Sequence, residues 1–193
     1  MEATSNRYKL EAEKSRFTVQ AYAAGFLAGL GHHPTIGIQD FDGEARFSPG
    51  ASEEASLRLR IRAGSLVVLG EMKEKDREEI RRTMFEKVLE IASYPEIDFE
   101  STQIALFQIS TARIAEGRYK ARIIGTLTLH GVTQPGVWIM ALITLDGETL
   151  RAQGSFMLKQ TDYGIKLVSV AGGALRLKDD LKFTFDLIGH REN

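Results

Sequence analysis

The 193-residue sequence contains no cysteine, only four prolines and a single tryptophan. Without cysteine the chain can form no disulfide, no thiolate metal site and no cysteine nucleophile, so thiol redox chemistry is excluded. No apolar stretch approaches the roughly 18 residues that a transmembrane helix needs. The N-terminal residues lack the basic start and apolar core of a signal peptide. The sequence as written therefore predicts a cytoplasmic protein, or a periplasmic one if a leader precedes it.

Neither sign of charge dominates the chain. The sequence has 25 Lys and Arg residues against 26 Asp and Glu residues, for a formal net charge of −1. Such a chain has no overall field to concentrate polyanions, so we expect no nucleic-acid partner. Hydrophobic residues make up 43% and charged residues 26% of the chain, which is typical of a folded domain. Because no linker or repeat marks a boundary, residues 1–193 are predicted to form a single domain.

The sequence also lacks motifs that would identify an enzyme. It has no Gly-x-Ser-x-Gly nucleophile elbow, and Ser155 lies within an alternating apolar pattern typical of a strand. The glycine pair in residues 171–174 has neither the lysine of a phosphate loop nor a dinucleotide fingerprint around it. The adjacent His32 and His33 would point to opposite faces of a strand and form no chelate. We therefore predict no catalytic residue, no metal site and no cofactor.

Alternation with a period of two residues is the dominant pattern. Apolar residues alternate with polar ones in residues 17–23 and with three arginines in residues 57–63, as expected for half-buried strands. The predicted strands cover residues 7–12, 17–23, 35–47, 57–63, 97–107, 119–129, 137–145, 150–158 and 181–189. So many short alternating segments predict a mainly β fold, an eight-stranded antiparallel sheet curled into a β-barrel.

Residues 73–92 follow a different period. Ile80, Met84, Val88 and Ile91 are spaced by four, four and three residues among charged neighbours. This spacing predicts one amphipathic helix that packs its apolar stripe on the barrel. Pro95 is expected to end the helix, because the residue before a proline disfavours the α conformation.

The alternation places a set of apolar side chains inside the predicted barrel. These candidate ligand-binding residues are Phe17, Val19, Ala21, Leu57, Leu59, Ile61, Ile123, Leu127, Leu129, Ala152, Phe156, Phe183 and Phe185. An eight-stranded barrel either is filled by its own side chains or holds one slender ligand. Five small residues are expected to leave room for a ligand: Ala21, Ala23, Gly125, Ala152 and Gly154. A packed core stays the alternative, because it shows the same alternation.

Three polar residues near strand ends are candidates for the mouth of the barrel. His130 follows a strand and precedes a glycine, so its imidazole could bond a turn carbonyl or contact a ligand headgroup. Asp162 and Tyr163 lie where the chain leaves a strand, and Gly164 permits an unusual turn. The same three residues could instead supply acid and base groups, since an apolar pocket can shift their pKa values. That alternative is a small barrel enzyme acting on an apolar substrate.

Four strings of the sequence resemble motifs of the YceI-like family, whose members are similar to lipocalins and form an extended eight-stranded antiparallel barrel. The strings are Gly31-His32-His33 and the segments at residues 94–101, 125–133 and 160–165. They occur in the order of the family, and the resemblance runs from about Tyr8 to Ile188. The pair Arg-Asp that precedes the helical segment of the family is shifted here to Lys75-Asp76-Arg77, and the segment after it is longer and more charged.

The resemblance implies a binding protein without catalytic activity. Members of the family hold a long polyisoprenoid or another lipid-like chain, with the tail inside the barrel and the polar head near the mouth. We therefore expect a polyisoprenoid or fatty-acid-like ligand that is carried or stored, and a homodimer. A module that binds a partner through its helix or an edge strand is a further alternative.

Overall fold

Long antiparallel strands make up most of the structure, a computed structural model that describes residues 6–24, 33–47, 54–108, 117–170 and 175–192. The strands are β1 (Asn6–Leu10), β2 (Arg16–Gln20), β3 (Ala23–Ala24), β4 (Thr35–Ile38), β5 (Phe41–Phe47), β6 (Ser56–Arg62), β7 (Leu66–Leu69), β8 (Glu96–Gln108), β9 (Arg118–Leu129), β10 (Val132–Asp146), β11 (Thr149–Lys159), β12 (Ser169–Val170), β13 (Leu175–Leu177) and β14 (Asp180–Arg191). Gly31, His32 and the glycine pair of residues 171–174 lie outside the described residues.

Eight strands close into an antiparallel barrel in the order β1-β5-β6-β8-β9-β10-β11-β14. The pairing of β1 with β14, in which Leu10 lies opposite Gly189, completes the ring. Closure removes the exposed sheet edges that would otherwise pair with other chains. The predicted mainly β, eight-stranded antiparallel barrel is therefore confirmed.

Short irregular segments let the wall extend beyond the ring at one end. A 3-10 turn at Ala12–Lys14 separates β1 from β2, and β14 pairs with β1 near its C-terminal end and with β2 near its start. The strands β2, β4 and β7 pair in that order and continue the wall. We call this end of the barrel, against which the helix packs, the helix end.

A β-bulge changes the inward face of β8. Its register with β9 shifts between Ser101 and Gln103. Before the bulge Ile97 and Phe99 border the interior, and after it Ile104 and Leu106 do so. One extra residue in a strand reverses the alternation, so the apolar face stays inside only because the residue pattern shifts with the bulge.

The three arginines of β6 lie on the outer face of the barrel, where acidic residues of neighbouring strands meet them. Arg58 pairs with Glu100 on β8, at 2.6 Å, and Arg60 pairs with Asp98, at 2.7 Å. Arg62 pairs with Asp42 on β5, also at 2.7 Å. Cross-strand pairs of opposite charge favour this register, although each exposed pair contributes little.

The predicted helix is present but ends earlier than expected. It comprises α1 (Glu74–Thr83) and one π-helical segment, Met84–Val88, in which Leu89 N–H donates to the Met84 carbonyl at 2.8 Å. The expected end at Pro95 is wrong because Glu90 adopts φ +47°, which turns the chain away. Arg77 holds the start of the helix by donating to the carbonyls of Val68 and Gly70.

Candidate ligand-binding cavity

An apolar cavity of about 520 Å³ occupies the interior of the barrel. Every strand of the ring contributes side chains to its wall, from Leu10 on β1 to Leu187 on β14, and the helix adds Ile80 and Met84. The volume falls within the range of sites for small organic ligands. The interior therefore combines a packed wall with a cavity, unlike a barrel filled by its own side chains.

All thirteen residues selected from the alternation lie on the cavity wall. Four of them form an aromatic group, in which Phe156 and Phe183 are stacked with ring centroids 4.8 Å apart and Phe17 meets the edge of Phe185 at 6.3 Å. Such pairs hold their rings in defined orientations and so give this part of the wall a fixed shape. That these thirteen residues bind a ligand stays a prediction.

The expectation that glycines leave room in the barrel is wrong. A Cβ atom at Gly125 would lie 2.6 Å from Phe99 Cε2, and one at Gly154 would lie 2.6 Å from Phe185 Cζ. Each glycine is already covered by an aromatic ring of the neighbouring strand, so neither supplies free volume. Of the three alanines in that expectation, Ala21 and Ala152 border the cavity, whereas Ala23 is absent from its described wall.

The helix contributes lining residues that the sequence analysis did not select. Asp76, Glu79, Ile80, Thr83 and Met84 border the cavity, at spacings that place them on one face. The helical period could have identified this face, because the predicted apolar stripe runs along it. Further wall residues, Ile165 and Val168, come from irregular chain, where no period marks an inward side.

Polar side chains are rare on the wall. Six described lining residues carry one: Arg46, Ser56, Asp76, Glu79, Thr83 and Gln160. The first five are partly or well exposed, whereas Gln160 is only 4% exposed. Sequence analysis missed Gln160 because a glutamine at a strand end gives no apolar signal.

Gln160 begins a 3-10 turn (Gln160–Tyr163) that is bonded to the start of β14. Its backbone N–H donates to Asp179 O at 3.0 Å, and its side-chain Nε2 donates to Lys178 O at 2.9 Å. Thr161 donates to the Asp179 carboxylate from both its N–H, at 2.9 Å, and its hydroxyl, at 2.7 Å. These bonds, first of all that of the Thr161 hydroxyl, hold the pKa of Asp179 below its usual value. The turn therefore has a fixed position at the helix end.

Of the three mouth candidates, Asp162 and Tyr163 belong to this turn and His130 lies beside it, and none is among the described residues of the cavity wall. His130 Nε2 donates to Glu90 Oε2 at 2.7 Å, and Nδ1 lies 3.3 Å from the carbonyl oxygen of Tyr163. The ring also packs on Tyr94, with centroids 4.6 Å apart. Both ring nitrogens of His130 therefore lie close to oxygen atoms of the protein.

Tyr163 and Asp162 differ strongly in burial. Tyr163 is 2% exposed, and burial, with a smaller effect of the Asp162 charge, raises the pKa of its phenol to about 12. Asp162 is exposed, and its backbone carbonyl accepts a bond from Gln134 Nε2 at 2.8 Å. A headgroup role for His130, Asp162 and Tyr163 stays a prediction.

The described part of the chain gathers no three His, Asp or Glu side chains that could hold a metal ion. Within those same residues, no helix has the length and apolar character needed to span a membrane.

Comparisons with known proteins agree with this geometry. The family model described as the YceI-like domain matches residues 8–188. A UPF0312 protein of Pseudomonas syringae pv. tomato is 28% identical over 157 residues, which cover 77% of this chain and 70% of that protein.

Two solved structures share the fold. BcnA of Burkholderia cenocepacia superposes with a TM-score of 0.68 at 17% identity, over 93% of this chain and 98% of its own. A polyisoprenoid binding domain of Saccharophagus degradans, implicated in plant cell wall breakdown, superposes with a TM-score of 0.66 at 16% identity, over 96% and 98%.

Proposed function

Because this chain belongs to the YceI-like family, we propose that it binds a long apolar ligand, a polyisoprenoid or a similar lipid-like chain, inside its barrel as a carrier or storage protein. The observation that carries the proposal is the apolar cavity inside the barrel, to which every strand of the ring contributes. The fold shared with a polyisoprenoid binding domain supports this class of ligand.

The energetics of such a cavity favour a long tail. Each buried methylene group contributes roughly 0.8 kcal/mol, so an extended hydrocarbon chain offsets the entropy lost on association. The polar groups on the wall are few and lie mostly near solvent, which leaves the middle of the barrel without partners for a polar ligand. Affinity would therefore come mainly from the apolar tail.

Binding without turnover is the role that the polar residues support best. His130, Asp162 and Tyr163 were the candidates for acid and base groups. The ring nitrogens of His130 face Glu90 and the Tyr163 carbonyl, and the three side chains are absent from the described cavity wall. A general base must come within hydrogen-bond reach of its substrate, and these three side chains do not border the cavity in which the substrate would lie.

We also propose a homodimer, as the family resemblance implies. The outer face of the neighbouring strands β10 and β11 supports it, because Trp138 and Met157 are 55% and 53% exposed there. Exposed apolar side chains of this size are typical of interaction surfaces.

Native mass spectrometry of protein purified without detergent, followed by organic extraction, tests these proposals. We expect the spectrum to show a dimer that carries an extra mass. That mass should extract into organic solvent as a lipid-like molecule. Ala152→Trp fills the cavity from its wall and should remove the bound mass. Ser155→Trp, on the outward face of the same strand, is the matched control and should keep it.

Two results would contradict the binding proposal. One is wild-type protein that carries no lipid and takes up no added isoprenoid. The other is a folded Ala152→Trp variant, judged by circular dichroism, that binds as well as the wild type. A strictly monomeric mass at working concentration would contradict the dimer alone.

A further inference from the structure

Gln160 differs from every other polar residue of the described cavity wall. Arg46, Ser56, Glu79 and Thr83 keep contact with solvent, as does Asp76, so water can hydrogen-bond their side chains. Apart from tyrosines, Gln160 is the one polar residue that is buried in the described part of the chain, at 4% exposed. Its amide is therefore the only buried amide or charged group among those residues that borders the apolar interior.

The orientation of this amide follows from its partner. The Lys178 carbonyl can only accept a hydrogen bond, so the atom 2.9 Å from it must be Nε2 and the other end of the amide must be Oε1. The bond from the Gln160 backbone to Asp179 fixes the residue from a second side. The amide is thus held in one orientation before any ligand arrives.

Oε1 of Gln160 has unused capacity to accept a hydrogen bond. Among the described residues none donates to it, whereas Nε2 is bonded. The residue that carries this acceptor borders the apolar interior. An acceptor left unsatisfied in an apolar space is unfavourable.

We propose that Gln160 Oε1 accepts a hydrogen bond from the polar end of the ligand and makes the cavity selective for chains that end in a hydroxyl or N–H donor. An ether, an ester or an ionised carboxylate has no proton to donate and leaves Oε1 unsatisfied. This inference rests on the proposed function and narrows it from lipid-like chains in general to long-chain alcohols and amides.

The test compares two probes that differ in a single hydrogen-bond donor, a hydroxyl group. Geranylgeraniol and its methyl ether are titrated into delipidated protein, and binding is followed by calorimetry. The wild type should bind the alcohol about tenfold more tightly than the ether, the factor expected for one net hydrogen bond. In Gln160→Leu the ratio of the two affinities should fall to about one, while the affinity for the ether changes little.

Gln134→Leu is the matched control. Gln134 also donates from its amide to a backbone carbonyl of the same turn, that of Asp162, but it is absent from the described cavity wall. It should therefore keep the wild-type ratio. A merely structural role of Gln160 would weaken both probes equally and leave the ratio unchanged.

The outcomes separate this inference from the proposed function. Equal binding of both probes by the wild type overturns the role of Gln160 and leaves lipid binding intact. This comparison uses only the wild-type protein, so it does not depend on whether a variant folds. A tenfold ratio that persists in Gln160→Leu also overturns it. If the wild type binds neither probe nor any other isoprenoid, the proposed function itself fails.

Discussion

Gly154 lies under the ring of Phe185, and this contact shows how closely the wall is packed beside the cavity. A Cβ atom there would come 2.6 Å from Phe185 Cζ and still closer to the Met140 carbonyl oxygen, which belongs to the rigid backbone of β10. We predict that Gly154→Ala lowers the free energy of unfolding by about 1–3 kcal/mol, measured by urea denaturation. Gly64→Ala, where a Cβ meets no atom within 4 Å, is the control and should be close to neutral. Equal effects at both sites would contradict the packing argument.

Tyr163 gives a prediction about alkaline stability. Burial raises the pKa of its phenol to about 12 in the folded protein, against 10.0 for an unperturbed tyrosine. Between these values the unfolded chain loses the proton while the folded chain keeps it, so the free energy of unfolding falls as the pH rises through this window. Below pH 10 the contribution is fully present. The loss should reach up to about 3 kcal/mol by pH 12.

The Tyr163→Phe variant isolates this effect. It has no phenol to ionise at that position, so its stability should decline less steeply than that of the wild type between pH 10 and 12. Chemical denaturation at stepped pH values gives the comparison directly. Parallel curves for the two proteins would show that the phenol is not held neutral by burial.

At the scale of elements, the helix packs on the barrel through partly buried apolar side chains, and polar contacts hold both of its ends. None of its residues is fully buried, although one face borders the cavity. Arg77 holds its start, and Glu90, just past its end, is bonded to His130. His130 itself has φ +52°, a backbone region that asparagine tolerates better than most residues.

His130→Asn therefore removes the imidazole contacts with little added backbone strain. We predict a loss of about 1 kcal/mol in the free energy of unfolding, typical of one net hydrogen bond. Hydrogen exchange should become faster in residues 74–91 and stay unchanged in β11 and β14. Glu90→Gln, which keeps an acceptor for the ring, is the control and should show a smaller effect. Uniform acceleration across the barrel would contradict a local tether.

The elements of the fold differ in how well the sequence predicts them. Strict alternation marks the inward sides of β6, β9 and β14 because each of these strands has one apolar and one polar face. The bulge at Ser101 and the π-helical segment could not be predicted, since both depend on contacts with neighbouring elements. The strand β7 was missed because it is short and apolar on both faces.

The sequence also predicts part of the candidate site, namely the apolar residues of its wall. Alternation locates apolar wall residues, but the free volume depends on which rings cover which glycines, as Phe99 does at Gly125. Gln160 has no sequence signal of its own, because its importance comes from burial by chain that is distant in sequence, at Lys178 and Asp179. Apolar faces can therefore be read from the sequence, and the placement of single polar atoms cannot.

At the scale of the whole molecule, the hydrophobic core surrounds the apolar cavity. Core residues such as Phe99, Ile123 and Phe185 are at once the packing of the barrel and the wall of the cavity. A ligand in this cavity of about 520 Å³ would make dispersion contacts with the same side chains that hold the barrel together. Stability of the fold and occupancy of the cavity should therefore be coupled.

Removal of the ligand tests this coupling. A ligand that binds only the folded state stabilises it by about 2.7 kcal/mol when its free concentration is one hundred times Kd. For a chain of this length that corresponds to a rise in Tm of roughly 5–10 °C. We predict that delipidated protein has a Tm lower by this amount, and that the Tm returns to its original value when the extracted lipid is added back, as measured by differential scanning calorimetry.

The Ala152→Trp variant should show no shift in Tm on adding lipid, whereas Ser155→Trp should respond like the wild type. Identical transitions for stripped and reloaded wild type would mean that the lipid does not occupy the core, because any ligand that fills this space must bind the folded barrel better than the unfolded chain.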